Sequence, residues 1–174
     1  MTTPEGLATT SPAVDTFVRA IDRVLIHEGG DADDPRDAGG RTRWGISQKT
    51  YPTLDIRKLT RAEAIALYRR DFWTPIQGDA LPPALAFQVL DAAVNHGVGR
   101  AIRWLQRLTG VAVDGRLGPV TLAAIRSADE ARLIERLLGL RLELYAAHEQ
   151  FVAFGRGWTR RIADNLAYAA RDLR

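Results

Sequence analysis

Carboxylate side chains gather in one stretch of the chain, and their setting favours acid–base chemistry. Glu28 shares a helical face with four apolar residues upstream: Phe17, Ile21, Val24 and Leu25. We therefore expect its carboxyl group to point inward from the end of a helix. The segment that follows holds four aspartates, a proline and two glycine pairs. So polar and interrupted a segment forms a loop.

An inward carboxyl group beside a loop of solvated carboxylates suits the hydrolysis of a glycosidic bond. Burial favours the protonated form of such a group, whereas solvated carboxylates stay ionised. Glycoside hydrolysis uses that pair, because an acid protonates the leaving oxygen while a carboxylate acts across the sugar ring. The alternative interpretation is that Glu28 only hydrogen-bonds the loop and that the aspartates form turns. The residue pattern leaves both interpretations open.

The spacing of residues around Glu28 matches a known signature. The matching positions are Glu28-Gly29-Gly30, Asp34-Pro35, Asp37, Gly39-Gly40, Thr42 and Gly45-Ile46-Ser47. This pattern resembles glycoside hydrolase family 108, the lysozyme-type muramidases found among phage endolysins. Two positions depart from it, since Asp31 stands where the family usually has tyrosine and Ala38 where it usually has proline.

The resemblance implies roles for three residues of the stretch. Glu28 would be the general acid of a muramidase, and Asp37 would orient water or stabilise the oxocarbenium-like state. Asp31, Asp33 and Asp34 are close competitors for the second role. By analogy with phage-type lysozymes, Thr42 would help to hold the attacking water.

Four further residues are candidates for contact with a glycan. Trp44 either stacks on a sugar face or fills the junction of loop and core, which is the default for a single tryptophan. The stretch 68–73 resembles the family's aromatic second signature, so Tyr68 and Trp73 would line the glycan groove unless both are core residues. The stretch 91–97 resembles the family's Asp-x-Ala-Val-Asn-x-Gly motif, with Asn95 facing the groove and Asp91 structural.

Helical spacing and capping signals predict a mainly α, lysozyme-like fold. Asp15 or Thr16 is expected to cap the first helix, and a small β-hairpin or loop is expected across 41–47, near the active site. Pro82-Pro83 should open a buried central helix, because apolar residues surround the helix that follows. Glycines predict a turn across 151–158.

A second resemblance covers the segment from Trp104 to Thr121. It is similar to the peptidoglycan-binding repeat pattern Leu-Gln...Asp-Gly-x-Leu-Gly-Pro-x-Thr, which implies wall binding; the alternative is a plain helix-turn-helix brace. We divide the chain into a flexible N-terminus (1–14), a catalytic lysozyme-like region (15–105) and a helical peptidoglycan-binding-like region (106–174). No linker separates the last two regions, so we expect them to pack as one globule.

Composition and charge indicate which partners the protein can have. The chain has 174 residues, 46% of them apolar and 26% charged, which is ordinary for a soluble globular protein. Residues 51–174 hold eighteen Lys/Arg and thirteen Asp/Glu, and this net basic part favours an anionic partner such as bacterial peptidoglycan. The arginines are scattered and no nucleic-acid motif is present, so we expect no nucleic-acid binding, no stable membrane insertion and a monomer.

The N-terminal sixteen residues lack the basic start and apolar run of a secretory signal. We therefore expect cytoplasmic synthesis without a signal peptide and action on the cell wall after release by a holin-type route.

Two alternatives to a muramidase remain. The chain lacks cysteine, and the only route to a zinc amidase would use His27, His96 and His148, without a His-Glu-x-x-His motif. An EF-hand-like calcium loop fails because Arg36 stands where glycine is needed, so we expect neither metal nor other cofactor. The non-enzymatic alternative is a catalytically weak or inactive wall-binding protein that assists lysis or secretion.

Overall fold

Helices form most of the chain that the structure, a computed structural model, describes: residues 12–28 and 41–174. They are α1 (Pro12–Glu28), α2 (Arg61–Tyr68), α3 (Pro83–His96), α4 (Val98–Thr109), α5 (Pro119–Ser127), α6 (Glu130–Ala146) and α7 (Phe151–Asp172). Short 3-10 helices span Ile56–Lys58 and Gly78–Ala80, and a π-helical turn spans Arg69–Trp73. Two strands, β1 (Thr42–Arg43) and β2 (Ile46–Ser47), complete the architecture. The predicted mainly α fold with one small hairpin is confirmed.

The helix α3 lies at the centre of the molecule. Pro83 occupies its first turn, where the missing N–H of proline costs nothing. Residues 84–93 are all buried, because α3 packs against α1, α4, α6 and α7. The predicted buried central helix is therefore confirmed. Within the described part of the chain, no helix is both long and apolar enough to cross a membrane.

The helix α1 begins earlier than its capping signals predict. It begins at Pro12 rather than after Asp15 or Thr16, and a proline fits the first helical turn. The flexible N-terminus of 1–14 stays a prediction, and residues 1–11 lie outside the described part. The apolar face of α1 is buried against α3, as its spacing predicts.

The strands β1 and β2 form an antiparallel hairpin closed by a two-residue turn. Thr42 pairs with Ser47, and Arg43 pairs with Ile46. The turn residues Trp44 and Gly45 have φ angles of 54° and 74°. Positive φ at both central residues is typical of a type I′ turn, whose twist matches that of the two strands. Ile46 is buried and anchors one face of the hairpin in the core.

A single buried glutamine organises the loop between α4 and α5. Gln106 is 1% exposed. Its Nε2 donates to Asp114 Oδ1 at 2.6 Å and to the Arg116 carbonyl oxygen at 2.9 Å, while its Oε1 accepts from the Gly115 N–H at 2.9 Å. Gly115 has a φ of 78°, which glycine adopts without strain. Gln106, Asp114 and Gly115, which belong to the peptidoglycan-binding pattern, thus stabilise the loop between α4 and α5.

The helix α7 is continuous where a turn was predicted. It begins at Phe151 and runs through Gly155 and Gly157, so the predicted turn across 151–158 is wrong. A Cβ on Gly155 would lie 2.8 Å from the Phe151 ring, so the glycine makes room for that ring one turn away. Trp158 stacks on Tyr145 of α6 with ring centroids 5.0 Å apart, and such packing outweighs the low helix propensity of glycine.

A buried charged network joins α3, α6 and α7. Asp91 is fully buried, and its carboxylate accepts hydrogen bonds from Arg141 Nη2 at 2.7 Å, Asn165 Nδ2 at 2.7 Å and Arg161 Nη2 at 2.6 Å. Burial alone would raise the pKa of Asp91, but the charges of Arg141 and Arg161 outweigh it and lower the pKa to about 2. The network is therefore ionised at neutral pH.

Replacing Asp91 tests how much this network stabilises the fold. Asp91→Asn leaves the fully buried Arg141 without its counter-charge and removes one of the two carboxylates that pair with Arg161, so we expect a loss of about 3–5 kcal/mol in the free energy of unfolding. Urea denaturation measures it. Asp22→Asn, which removes the partner of Arg61 in a half-exposed pair, should cost less than about 1 kcal/mol.

The same network predicts an acid-sensitive stability. Because the pKa of Asp91 falls from 3.8 to about 2 on folding, its contribution is complete above the unfolded value and is lost as pH falls through the folded value. We expect the wild type to lose stability between about pH 5 and pH 2 more steeply than Asp91→Asn. Equal slopes for both proteins would contradict this account.

Candidate active site

Glu28 lies where the end of α1 meets the hairpin and α7. Its side chain is 22% exposed, so the carboxyl group is partly shielded but reachable from solvent. Oε1 accepts a hydrogen bond from Arg161 Nη1 at 2.9 Å. Oε2 accepts none from a residue within the described ranges. Arg161 therefore holds one oxygen of Glu28, and the other has no partner among the described residues.

Arg161 connects Glu28 to the buried network. Its Nε and Nη2 atoms bond Asp91 Oδ1 at 2.9 and 2.6 Å, while its Nη1 atom bonds Glu28. Burial acts to lower the pKa of Arg161, but the charges and hydrogen bonds of Asp91 and Glu28 raise it overall. A planar guanidinium can serve two carboxylates at once because its donors point in fixed directions. Arg161 therefore fixes Glu28 relative to α3.

The hairpin turn packs against the side chain of Glu28. A Cβ added to Gly45 would lie 2.8 Å from Glu28 Cβ and would also collide with the Tyr68 hydroxyl. That hydroxyl donates to the Trp44 carbonyl oxygen at 3.1 Å. Gly45 is thus required both by its positive φ and by the close approach of Glu28.

Tyr68 supports the site from within the core. Its side chain is 1% exposed, so its ring offers no face to a sugar, and its hydroxyl holds the hairpin turn. Burial, and secondarily the negative charge of Glu28, raise the pKa of Tyr68 well above its usual value. Tyr68 therefore remains a neutral donor beside Glu28, rather than the groove-lining platform that was predicted.

Of the two predicted partners of Glu28, Asp37 and Thr42, the structure describes only Thr42. Asp37 lies outside the described residues, as do Asp31, Asp33 and Asp34. Thr42 lies on β1 opposite Ser47, two residues before the turn that contacts Glu28. Since neighbouring strand residues alternate between faces, Thr42 shares the face of Ser47, away from the buried Ile46.

The two tryptophans that were predicted to contact a glycan, Trp44 and Trp73, differ in how deeply they are buried. Trp44 is half-buried and packs against the core, and its buried Nε1 has no hydrogen-bond partner among the residues described. Trp73 is 1% exposed, contacts Phe17 with ring centroids 5.2 Å apart and donates from Nε1 to Asp79 at 2.9 Å. Trp73 is a core residue, so its predicted role in a groove is wrong in this structure.

Asn95 borders an aromatic pocket. Its Nδ2 donates to the Asp91 carbonyl oxygen at 2.9 Å, one helical turn back along α3. The pocket has a volume of about 240 Å³ and is lined by Asn95, His96, Arg100, Leu144, Tyr145, His148 and Trp158. We call this cavity the aromatic pocket. A glycan contact by Asn95 stays a prediction.

The three histidines do not assemble a metal site. His27 lies against Tyr168, whereas His96 lies against Trp104 and Tyr145. Among the residues described, no group of three or more His, Cys, Asp or Glu side chains is placed to hold a metal ion. Burial and the charge of Arg141 lower the pKa of His96 to about 4, so this ring is neutral at neutral pH.

Sequence reasoning missed the most connected residue of the site. No role was predicted for Arg161 from the sequence. The available signal was Asp91, because a buried carboxylate requires cationic or hydrogen-bonding partners. Arg141 and Arg161 both lie on helices with apolar faces and were the candidates for that pairing.

Comparisons with known proteins show the family of the chain. The glycosyl hydrolase 108 model matches residues 21–97, and the predicted peptidoglycan domain model matches residues 100–163. No curated protein matches the chain. Twelve chains of solved structures do, among them SagA from Brucella abortus, with 34% identity, coverage of 92% of this chain and 95% of the SagA chain, and a TM-score of 0.80.

The two matched segments meet in the structure, since Glu28 and Asp91 belong to the first and Arg161 to the second. Together they support a lysozyme-like function in which glycosidic bonds of peptidoglycan are broken at the cell wall. The resemblance inferred from the spacing around Glu28 is confirmed. With its family models and its similarity to SagA in agreement, the chain belongs to the glycosyl hydrolase 108 family and carries a predicted peptidoglycan domain in its C-terminal part.

Proposed function

We propose that this chain is a muramidase that hydrolyses the β-1,4 bond between N-acetylmuramic acid and N-acetylglucosamine, with Glu28 as general acid. One observation carries the proposal: a partly exposed carboxyl group at the end of α1, with one oxygen bonded to Arg161 and the other without a partner among the described residues. The family match supplies the reaction class. The bond and the acid are our own assignment.

The geometry supports a simple proton path. Protonated Glu28 would donate from Oε2 to the glycosidic oxygen as the bond from that oxygen to C1 breaks. The carboxylate that forms on Glu28 is stabilised by the positive charge of Arg161. Water then adds to C1 and gives its proton to a base, which leaves two sugar hydroxyls as products.

Asp37 and Thr42 complete the proposed reaction on the other face of the sugar. Asp37 would orient the water or stabilise the oxocarbenium-like state, and Thr42 would hold the water by a hydrogen bond. Carboxyl groups roughly 6.5–9.5 Å apart would favour inversion, whereas a separation of about 5 Å would favour retention. Trp44 and Asn95 remain the proposed sugar contacts, because both lie next to the elements that hold Glu28.

The biological setting belongs to the same proposal. A role as a phage-type endolysin, acting as a monomer after release by a holin-type route, is supported by the family resemblance alone.

Replacing Glu28 tests the assignment of the acid. Glu28→Gln keeps an oxygen that can accept from Arg161 but cannot donate the required proton, so we expect the rate of sacculus lysis to fall by about 10²–10⁴-fold. The thermal unfolding midpoint should stay close to that of the wild type. Release of reducing ends from purified sacculi measures the rate, and mass spectrometry of the fragments should find muramic acid at the reducing end.

A matched control is Asp164→Asn, which changes a half-exposed carboxylate on α7 near His27 and should leave lysis unchanged. Lysis retained by Glu28→Gln would overturn the assignment. Tight binding to sacculi with no lysis by the wild type would instead favour the non-enzymatic accessory protein.

Replacing Gly45 tests the contact between the hairpin and the acid. Gly45→Ala forces a side chain into a left-handed backbone, which costs about 1–2 kcal/mol, and pushes a Cβ against Glu28. A displacement of the acid by about 1 Å lowers the lysis rate by about 10²-fold. Gly139→Ala is the control, because its Cβ would meet nothing within 4 Å and alanine favours helix. Wild-type lysis by Gly45→Ala would contradict the packing described here.

A further inference from the structure

Three arginines of α4 line one side of a groove beside the aromatic pocket. Arg100, Arg103 and Arg107 lie three and four residues apart, so they share one face of the helix. The groove between α4 and α6 has a volume of about 480 Å³, with Trp104 in its floor and Leu140 and Glu143 on the opposite side. We call this cavity the arginine groove.

The arginine groove carries positive charge that the protein does not neutralise. Arg100, Arg103 and Arg107 are exposed, and none forms an ion pair with a residue of the described ranges. Elsewhere, Arg23 and Arg61 are paired with Asp172 and Asp22. Glu143 is the one acidic residue in the lining of the groove, so three guanidinium groups face a single carboxylate.

The groove adjoins the aromatic pocket, which includes a residue of α7 close in sequence to Arg161. Arg100 and Leu144 line both the arginine groove and the aromatic pocket. At the other side of the aromatic pocket, Trp158 lies three residues before Arg161, the residue that holds Glu28. One helical turn is about 5.4 Å, so Trp158 and Arg161 lie about one turn apart along α7.

The chemistry of peptidoglycan limits which of its groups a cationic groove can bind. Its glycan chain consists of acetylated amino sugars, whose nitrogen atoms are amides and carry no charge. The lactyl carboxyl group of muramic acid is bonded as an amide to the peptide stem. The negative charges near the cleaved bond therefore lie on the free carboxylates of the stem, and guanidinium groups bind carboxylates with good geometry.

We propose that the arginine groove binds the carboxylates of the peptide stem of the glycan that is cut at Glu28. This inference rests on the muramidase proposal for the identity of the glycan, and it adds recognition of the peptide. The aromatic pocket adjoins the arginine groove and includes Trp158, which precedes Arg161 by three residues. In this proposal the stem crosses the aromatic pocket and meets Arg100, which lines both cavities, before the other two arginines.

The test compares stem-bearing glycan strands with the same strands after enzymatic removal of their stems. Each exposed arginine–carboxylate contact is weak, worth about two- to fivefold in affinity. The wild type should therefore have a kcat/KM about tenfold or more higher for stem-bearing strands, falling as salt is added. The triple variant Arg100→Gln, Arg103→Gln and Arg107→Gln should lose this preference and keep the wild-type rate on stripped strands.

A matched control removes the same charge elsewhere. The triple variant Arg126→Gln, Arg132→Gln and Arg174→Gln changes exposed arginines outside the groove and should keep the preference. An unchanged preference after substitution in the groove, or an equal loss of preference in both triple variants, would overturn the inference.

A binding measurement separates this inference from the muramidase proposal. Wild-type protein that cuts neither substrate would overturn the proposed function alone. Calorimetric titration with free stem peptide then judges the groove. We expect binding that weakens about tenfold or more in the groove variant and is lost when the stem carboxyls are converted to amides. Equal binding of the free and the amidated peptide would overturn the inference.

Discussion

The guanidinium group of Arg161, shared between Glu28 and Asp91, is the contact on which the site depends. It joins α7 to α1 and α3, because Arg161 bonds Glu28, 133 residues earlier in the chain, and Asp91, 70 residues earlier. Asp91 is buried and ionised, so it holds Arg161 in place, and Arg161 in turn directs one oxygen of Glu28. The position of the candidate acid is thereby set by the core of the molecule and not by the end of a helix alone.

The local parts of this arrangement could be predicted from the sequence. Apolar spacing placed Glu28 on the inner face of α1, and the two prolines marked the beginning of α3. The hairpin was expected across 41–47, and its turn includes Gly45, which adopts a positive φ without strain, next to Ile46, which enters the core. Each of these signals operates within about four residues, the range over which sequence patterns are informative.

The long-range parts could not be predicted in the same way. Nothing within one turn of Arg161 identifies Glu28 as its partner, because their contact exists only after α7 packs on α3. The continuity of α7 through Gly155 depends on the ring of Phe151 and on the stacking of Trp158, which outweigh a local preference. Trp73 resembled a groove residue by its motif, but Phe17 and Asp79 enclose it.

The C-terminal half separates two roles that its motif had combined. Gln106, Asp114 and Gly115 belong to the peptidoglycan-binding pattern and are used to build a loop, whereas the arginines on the exposed face of α4 are available to a ligand.

The central claim is that the guanidinium group of Arg161 positions Glu28. Arg161→Lys tests it most directly, because lysine keeps the charge but cannot span both carboxylates. We expect the rate of sacculus lysis to fall by about 10²-fold, and a wild-type rate would contradict the account.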